Sequence, residues 1–597
     1  MEERKNRASG FPGGSGGLPG GVLLAASALL VPLAMWLGFS DGVEFPKQVV
    51  FRCLAAVMAL AVAANPALRA RLLTHPLAVP LACLSLLALV STALSGSPSV
   101  AWAGEEGSWR GSSTLMAVWL GALSASALAQ GRLVLKWISA VLVAAALVLV
   151  YAFVQAFGAD PVPWDPGKRI TYWVMATLGN PVHLGNFLAC SFFLTFAVMP
   201  FRSVPAWLFR FLLLAGVLMT LSRSALLALL AGGAVWFAFR RRNSARGTVL
   251  LAATPVVVLP FLAQAERIFS LTRLTGARPQ IWEAAGRMIA DRPLTGVGPD
   301  IFYSLFPLFS GYGFYAAEPP AVFGDSVFLR LPGSAHSEIF DTASMLGLPA
   351  LGIYFWALAV VVRSGRGSIL LPALAALWVG NQVNPSSVAT SSLFWTLAAV
   401  IVRPQFRGVR TGKRGHLVFS VAVAAALFVA VIPALNLSLA QAYRRESGRL
   451  LFMGDRQGAL ALQGRWWKTA ARAHPRQAAQ DAALLSSGSP EEIIRAREML
   501  GHAVESNPLS VFYLSALAEL DFDEGRRLRN PGLLKSSEAG FRRALALAPA
   551  ALSLHDDLAR VLDAQGRRGE AEAERKTRRE ADPKGLFAPR PGGKPGK

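Results

Sequence analysis

The chain has 597 residues, of which 53% are hydrophobic and 16% are charged, and its formal net charge is +23. Soluble domains carry roughly a quarter of charged residues, so the composition excludes an ordinary water-soluble enzyme and predicts a membrane protein. The excess of Lys and Arg follows the loops between apolar runs, as membrane topology requires. It therefore gives no reason to expect nucleic acid as a partner.

Apolar runs dominate the chain from residue 20 to about residue 440. Residues 1–19, rich in glycine and charge, predict a disordered cytoplasmic tail. The runs approach the roughly 20 residues needed to cross the hydrocarbon core of a bilayer, so we predict an all-α polytopic bundle of about 12–13 transmembrane helices. The predicted spans are 20–40, 48–64, 76–95, 113–130, 133–158, 181–200, 203–221, 224–239, 247–264, 338–362, 369–384, 388–402 and 417–439.

The loop charges orient this bundle. With the N-terminus inside, the cytoplasmic loops hold most of the Lys and Arg, including a run of arginines at 240–242. The short outside loops hold only Lys47, Arg110, Lys168, Arg169 and Arg223. By the positive-inside rule, the large polar loop 265–337 and all residues after 439 are predicted to be extracytoplasmic.

The large loop begins with arginines around an amphipathic helix at 279–290. Arg273, Arg278 and Arg287 lie at or near its start, and its apolar residues recur at helical spacing. We expect Trp282 to lie on the membrane surface beside this helix. Arg suits phosphate because its planar fork makes bidentate, charge-assisted bonds, although headgroup snorkelling is the alternative for any single arginine.

A tight turn and one histidine follow. Pro293, Gly296 and Gly298 are predicted to shape the chain locally, because glycine permits close approach and positive φ. His336 lies where the chain re-enters the membrane, and a histidine can serve as a general acid or base near neutral pH. The alternative is a structural histidine.

Three further cations lie near span ends. Arg223 follows Thr-Leu-Ser at the outer end of one span, and Lys47 and Arg52 lie at the outer end of another. Arg52 is about one turn inside an apolar run, where a charge is costly and marks a functional candidate. The structural alternative is capping or pairing with the acidic residues Asp41, Glu44, Glu105 and Glu106.

Several kinds of site are not indicated. The three cysteines, Cys53, Cys83 and Cys190, all lie in apolar runs, which argues against disulfides and zinc. No phosphate-binding glycine loop followed by Lys-Ser/Thr is present, so no ATP site is expected. Asp521 and Asp523 have the spacing of a metal-binding pair but fall on a predicted helix, where we expect a solvated face. We therefore predict neither a metal nor a cofactor.

The composition changes at about residue 441 to Arg, Glu, Ala and Leu. Small residues recur at fixed positions, and Pro549 and Pro583 are 34 residues apart, which is similar to tetratricopeptide repeats. We predict a helical-repeat domain at 441–582 that offers a surface for partner proteins. The alternative is an unrelated helical bundle. Residues 583–597 are predicted to be a disordered tail.

The order of these motifs resembles the O-antigen ligase/polymerase superfamily of bacterial polytopic glycosyltransferases. The shared pattern is Arg278, Trp282, Pro293, Gly296, Gly298, Phe302, Ala335-His336 and the Gly347 segment. Residues 42–47, 177–181, 221–224 and 392–395 match as flanking motifs. The usual Asn after the histidine is Ser337 here, which puts a partner of the histidine in doubt.

The resemblance implies a GT-C-like bundle in the bacterial inner membrane, with the large loop and the C-terminal domain periplasmic. It implies metal-independent, inverting transfer of a glycan from an undecaprenyl-diphosphate-type donor to an acceptor hydroxyl. Arg278 and Arg223, with Arg273, Arg52 and Lys47, would bind the diphosphate. His336 would orient or deprotonate the acceptor.

The resemblance leaves the acceptor open. A ligase acting on lipid A-core and a polymerase of lipid-linked glycan share the motifs, and a protein O-oligosaccharyltransferase is the next alternative. From other classes, a lipid-linked glycan flippase or exporter would need charges lining a cavity in mid-span, and only Arg52 and Arg210 come near. A non-enzymatic assembly scaffold would use only the repeats.

Overall fold

The structure is a computed structural model. It describes residues 17–39, 41–162, 174–240, 277–317, 321–323, 326–328, 331–384, 386–402, 413–469, 475–486 and 488–581. Predicted span 247–264 and Arg273 lie outside these residues.

The N-terminal part is a succession of helices. They are α1 (Gly17–Leu33), α2 (Glu44–Ala64), α3 (Pro66–Leu73), α4 (Ala78–Ala93), α5 (Pro98–Ala103), α6 (Ser112–Leu128), α7 (Arg132–Ala156), α8 (Pro181–Val198), α9 (Val204–Met219) and α10 (Arg223–Arg240), with a 3-10 turn at Ala176–Leu178 before α8. Local sequence sets several starts. Asn65, Asn180 and Ser203 each accept a backbone N–H of the following helix, which has a proline in its first turn, as N-caps do.

In its described residues, the large loop contains three helices and a hairpin. They are α11 (Arg278–Asp291), α12 (Phe302–Phe309), α13 (Tyr312–Ala317), β1 (Ala321–Phe323) and β2 (Ser326–Phe328). The two strands pair antiparallel, with Val322 opposite Val327, and they are the one sheet among the described residues. Phe314 and Tyr315 of α13 are buried, so they pack inside the protein and do not offer a stacking surface.

The remaining helices complete the membrane body and the C-terminal part. They are α14 (Glu338–Leu346), α15 (Leu348–Ser364), α16 (Leu371–Gly380), α17 (Val388–Ile401), α18 (Lys413–Phe452), α19 (Arg456–Thr469), α20 (Pro475–Leu485), α21 (Pro490–Ser506), α22 (Val511–Arg527), α23 (Pro531–Leu547), α24 (Ser553–Ala564) and α25 (Arg568–Ala581). The predicted all-α class is confirmed.

The apolar helices form a multi-pass membrane body. By length and composition, α2, α7 and α8 can each cross a bilayer, and α3 with α4, bent by 76°, would make a fourth span. Among the residues that the structure describes, seven more apolar helices have 10–17 residues, short of the roughly 20 that a straight span requires. The number of about 12–13 spans therefore stays a prediction.

The predicted span 338–362 is wrong as a single helix. The chain breaks at Gly347, whose φ is +89°. A Cβ there would lie 2.4 Å from the carbonyl oxygen of Leu294. The turn of the large loop therefore packs against the break, and the short helix α14 belongs structurally to the loop region.

The C-terminal helices form hairpins. Helix α20 packs on α21, α22 on α23, and α24 on α25, with contacts continuing from each hairpin to the next. Pro508 and Pro549 follow the ends of α21 and α23. Helix α18 runs unbroken through residue 440, where the sequence places a boundary. The tetratricopeptide assignment and the domain limits stay predictions.

The expected solvated face at the paired aspartates is wrong for Asp521. Its side chain is buried and accepts hydrogen bonds from Arg497 Nε at 2.7 Å and Ser536 Oγ at 2.6 Å. Asp521 therefore joins three helices, α21, α22 and α23, instead of facing water.

Candidate active site

Hydrogen bonds fix the backbone of residues 334–336, which we call the His336 turn. His336 has a φ of +54°, an uncommon conformation for a residue with a side chain. The N–H of Ala335 donates to Asp341 Oδ1 at 2.7 Å, and its carbonyl accepts from Trp282 Nε1 at 3.0 Å. The N–H of His336 donates to Ser334 Oγ at 3.1 Å. Because the backbone of Ala335 is bonded at both its N–H and its carbonyl, the Cα of His336, which carries the imidazole, is held in place.

Trp282 does not lie where the sequence suggested. Its ring stacks on Phe340 with centroids 5.7 Å apart, while its indole N–H bonds the His336 turn. The apolar stripe of α11 explains the difference, because Ile281, Ala285 and Met288 are buried against protein. Helix α11 thus packs on α14, and Trp282 supports the histidine.

The glycine turn at 293–298 locks α11 to the break at Gly347. Gly296 and Gly298 have φ of +66° and +117°, which glycine adopts without strain. A Cβ on Gly296 would lie 2.3 Å from the backbone of Met345, and the Pro293 carbonyl accepts from the N–H of Leu348 at 2.7 Å. The turn needs glycine for close backbone contact.

Arg278 and Arg223 lie within electrostatic reach of each other beside the turn. Arg278, the first residue of α11, donates from Nη2 to Asn384 Oδ1 at 3.3 Å. Burial and the charge of Arg223 lower the pKa of Arg278, so the two guanidinium groups lie within electrostatic reach of each other. Neighbouring half-buried cations suit an anionic group that accepts from both.

Arg110 brings a third cation to the same place. Its Nη1 lies 3.1 Å from Asp341 Oδ2, on the carboxylate that also holds Ala335. The loop 104–111 that carries Arg110 wraps around Asp300, which accepts from the N–H groups of Glu105 at 2.7 Å and Arg110 at 2.9 Å. Arg110 therefore reaches the His336 turn through Asp341.

Burial and these nearby charges determine the pKa of His336. Burial first, and then Arg278 and Arg110, lower the pKa of His336 to about 4. The imidazole is therefore neutral at physiological pH and has a lone pair with which to accept a proton. Arg278 and Arg110 thus act electrostatically on His336, and Arg223 acts on Arg278.

Lys47 and Arg52 are engaged by the protein itself. The Lys47 ammonium, fully buried, donates to the carbonyls of Ala34 at 3.1 Å and Val43 at 2.7 Å. Arg52 Nη2 donates to Ser113 Oγ at 2.8 Å and Thr114 Oγ1 at 2.5 Å. These bonds join α2 to its neighbours. A diphosphate-binding role for Lys47, Arg52 or Arg273 stays a prediction.

A cavity opens beside the turn. Arg110, Glu338 and Asp341 form its polar end, and Arg110 Nε has no hydrogen-bond partner among the described residues. The walls are apolar and aromatic: Leu84, Leu115, Val118, Trp119, Met345, Tyr354 and Trp395. Such a lining fits an amphipathic molecule with a polar head and an apolar chain.

Arg210, the other charge in an apolar run, has a structural environment. Its guanidinium lies 4.5 Å from the ring of Phe196 and 4.9 Å from that of Trp207. It also donates to Thr195 Oγ1 at 2.9 Å and to the Met199 carbonyl at 3.0 Å. Arg210 joins α8 to α9.

In the part of the chain that the structure describes, no group of three or more His, Cys, Asp or Glu could hold a metal ion.

Asp341, Asn384 and Asp300 were not among the predicted site residues, and Arg110 was predicted only as a loop cation. Asp341 had a usable signal, since an acid inside the apolar run 338–362 is a functional candidate. Asn384 and Asp300 had none, because an amide or a carboxylate in a loop becomes informative only when its partner is known.

Comparison with known proteins gives a family for this site. The family model described as O-antigen ligase matches residues 208–355, a stretch that contains Arg223, Arg278, Trp282 and His336. No curated protein matches the chain. Residues 208–355 are thus similar to the O-antigen ligase domain, which supports the resemblance to the O-antigen ligase/polymerase superfamily.

Proposed function

We propose that the protein transfers a glycan from a polyprenyl-diphosphate donor to an acceptor hydroxyl at the periplasmic face of the bacterial inner membrane. The observation that carries this proposal is the His336 turn, where the backbone is held by hydrogen bonds and a half-buried neutral imidazole lies within electrostatic reach of Arg278 and Arg110. Arg278 in turn lies near Arg223. A base next to paired guanidinium groups has the elements that displacement of a diphosphate requires.

In the proposed reaction the acceptor oxygen attacks the anomeric carbon of the donor sugar. His336 takes the hydroxyl proton, and the bond between that carbon and the diphosphate oxygen breaks. The polyprenyl diphosphate leaves with the electron pair, and Arg278 and Arg223 stabilise its growing charge. One displacement inverts the anomeric centre, and no metal or ATP takes part.

The cavity next to Asp341 supports a lipid-linked substrate. Its apolar walls suit a prenyl or acyl chain, while Arg110 and Glu338 meet the polar head. The acceptor stays open between lipid A-core and a second lipid-linked glycan, with a protein hydroxyl as the alternative.

The test is transfer by the purified full-length protein in detergent or nanodiscs, together with the lipopolysaccharide ladder of a deletion strain. Loss of all O-chain while lipid-linked polymer accumulates means a ligase, and a single repeat unit on core means a polymerase. Glycan transfer that is absent in vitro and a ladder that is unchanged, with exopolysaccharide and glycoproteins also unchanged, would overturn the proposed function.

The protonation of His336 predicts a pH profile. In the free enzyme, the base must be neutral, so kcat/KM should rise with pH through about 4, the pKa of His336. Bound diphosphate offsets the charge of Arg278, which lowered that pKa, so the acid limb of kcat should lie at higher pH than that of kcat/KM. Initial rates from pH 3.5 to 8 measure both limbs. Two limbs that coincide near 6.5 would contradict the electrostatic assignment.

A further inference from the structure

The loop 104–111 is a compact link between α5 and α6. Gly104 has a φ of +94°, and a Cβ there would lie 2.7 Å from the backbone of Trp109. Trp109 is wholly buried and its φ is +52°. Asp300 accepts hydrogen bonds from the loop backbone, so the loop closes around this carboxylate. The Arg110 side chain extends from the loop toward Asp341.

An ion pair joins the C-terminal helices to this loop. Arg444, on the extension of α18 beyond the last apolar run, places Nη1 2.6 Å from Glu106 Oε1. Their side chains are only 19% and 10% exposed. Asp481 of α20 is buried beside them, and burial together with the charge of Glu106 raises its pKa to about 7, against the opposing effect of Arg444. Arg444 thus pairs with Glu106 and lies within electrostatic reach of Asp481.

The same face has an apolar contact. The Trp109 ring lies 4.9 Å from Phe45, and both pack in one cluster with Leu437, Ala478 and other residues of the C-terminal helices. The Trp109 indole donates to Asp41 Oδ2 at 2.6 Å. Glu106 and Trp109, which precede Arg110 in this loop, therefore both contact the C-terminal helices.

A second contact fixes the other end of the segment. The Ser506 carbonyl at the end of α21 accepts from Ser97 Oγ at 2.7 Å and Ser99 Oγ at 2.8 Å. The adjacent Asn507 donates to Ser304 Oγ of the large loop at 2.9 Å. The C-terminal helices thus bond the segment 97–109 at both ends and the large loop as well.

We propose that the C-terminal helices are a positioning element of the active site. Through Glu106 and Trp109 they hold the loop 104–111, which places Arg110 on Asp341 and so fixes the His336 turn. Glu106 and Arg444 are positioning residues, because their effect passes through Arg110. This inference rests on the proposed function and adds a role for the repeats that docking of a separate partner would not require.

The test removes and restores the Glu106–Arg444 pair in the full-length protein. Glu106→Gln and Arg444→Gln should each lower kcat about tenfold or more, because small misplacements of catalytic groups have large effects on rate. KM for the donor should change less than threefold. The acid limb of kcat/KM should move to higher pH, since Arg110 helps to lower the pKa of His336. The charge-swapped double variant, Glu106→Arg with Arg444→Glu, should recover kcat and the pH limb.

Arg449→Gln is the matched control. It removes the exposed pair with Glu446 on the same helix α18 and should leave kcat and the pH profile unchanged. If the single variants fail to accumulate in membranes, Arg444→Lys, which keeps the charge but alters the geometry, takes the same measurements and should show a smaller shift in the same direction.

Two results separate this inference from the proposed function. If His336→Ala abolishes transfer while the Glu106 and Arg444 variants keep wild-type kcat and the wild-type acid limb, the positioning role is overturned and the function stands. The single variants could also lose activity without a shift of the acid limb and without rescue by the double variant. That result would indicate general destabilisation and would also overturn the positioning role. If His336→Ala itself keeps full activity, the proposed function fails first.

Discussion

Replacing His336 by alanine is expected to lower kcat for glycan transfer by about 10²–10⁴-fold, the range for loss of a general base. The physical reason is that the half-buried imidazole is neutral near pH 7 and that the preceding residue, Ala335, is bonded at both its N–H and its carbonyl. It can accept the hydroxyl proton as the new bond forms. KM for the donor should change little, because the diphosphate is assigned to the arginines.

The measurement is initial-rate kinetics on protein purified to equal amounts, with folding checked by thermal unfolding in detergent. Arg449→Gln, which removes the exposed pair with Glu446, is again the control and should retain normal rates. Near-normal transfer by the His336→Ala variant would show that the acceptor is deprotonated by another group or reacts without a base.

Replacing Arg278 by alanine is expected to lower kcat by about 10²–10³-fold, as loss of one oxyanion-stabilising donor does. The Arg278 guanidinium points to Asn384 Oδ1 at 3.3 Å and carries like-charge interaction with Arg223, which a bound diphosphate would relieve. Arg278→Lys should recover only part of the rate, because an ammonium keeps the charge and loses the bidentate fork.

Arg287→Ala is the matched control for that variant. Arg287 lies on the same helix α11, but its side chain is 53% exposed and pairs with Glu283 at 2.6 Å. We expect unchanged kinetics. Equal losses from Arg287→Ala and Arg278→Ala would mean that the helix as a whole, and not a particular guanidinium, supports the reaction. Inorganic pyrophosphate should inhibit the wild type competitively and the Arg278→Ala variant much less.

Much of the site could be predicted from sequence because its chemistry is local. Pro293, Gly296 and Gly298 specify a turn whose backbone needs positive φ, and the structure has that φ at both glycines. Arg278 and His336 stand out as polar residues at the ends of a long loop between apolar runs. The orientation of Trp282 could not be predicted, since an amphipathic stripe is equally compatible with a lipid surface and with a neighbouring helix.

The groups that hold the site were harder to find because they are distant in sequence. Arg110 and Asp341 are separated by 231 positions, and Arg444 and Glu106 by 338. No periodicity or motif links such pairs. The break at Gly347 was hidden for a similar reason, since it exists because the backbone of residue 294 packs against it.

The sequence by itself determined the class of this protein: apolar runs of membrane-spanning composition form helices because a bilayer leaves backbone groups no other partner. It also determined the local turn at Gly296 and the candidate base and cations. Only the tertiary structure decided which charges meet. Arg278 and Arg110 act on one imidazole, while Lys47 and Arg52 bond carbonyls and hydroxyls of the protein, because a charge in a low-dielectric interior takes the partner that packing places next to it.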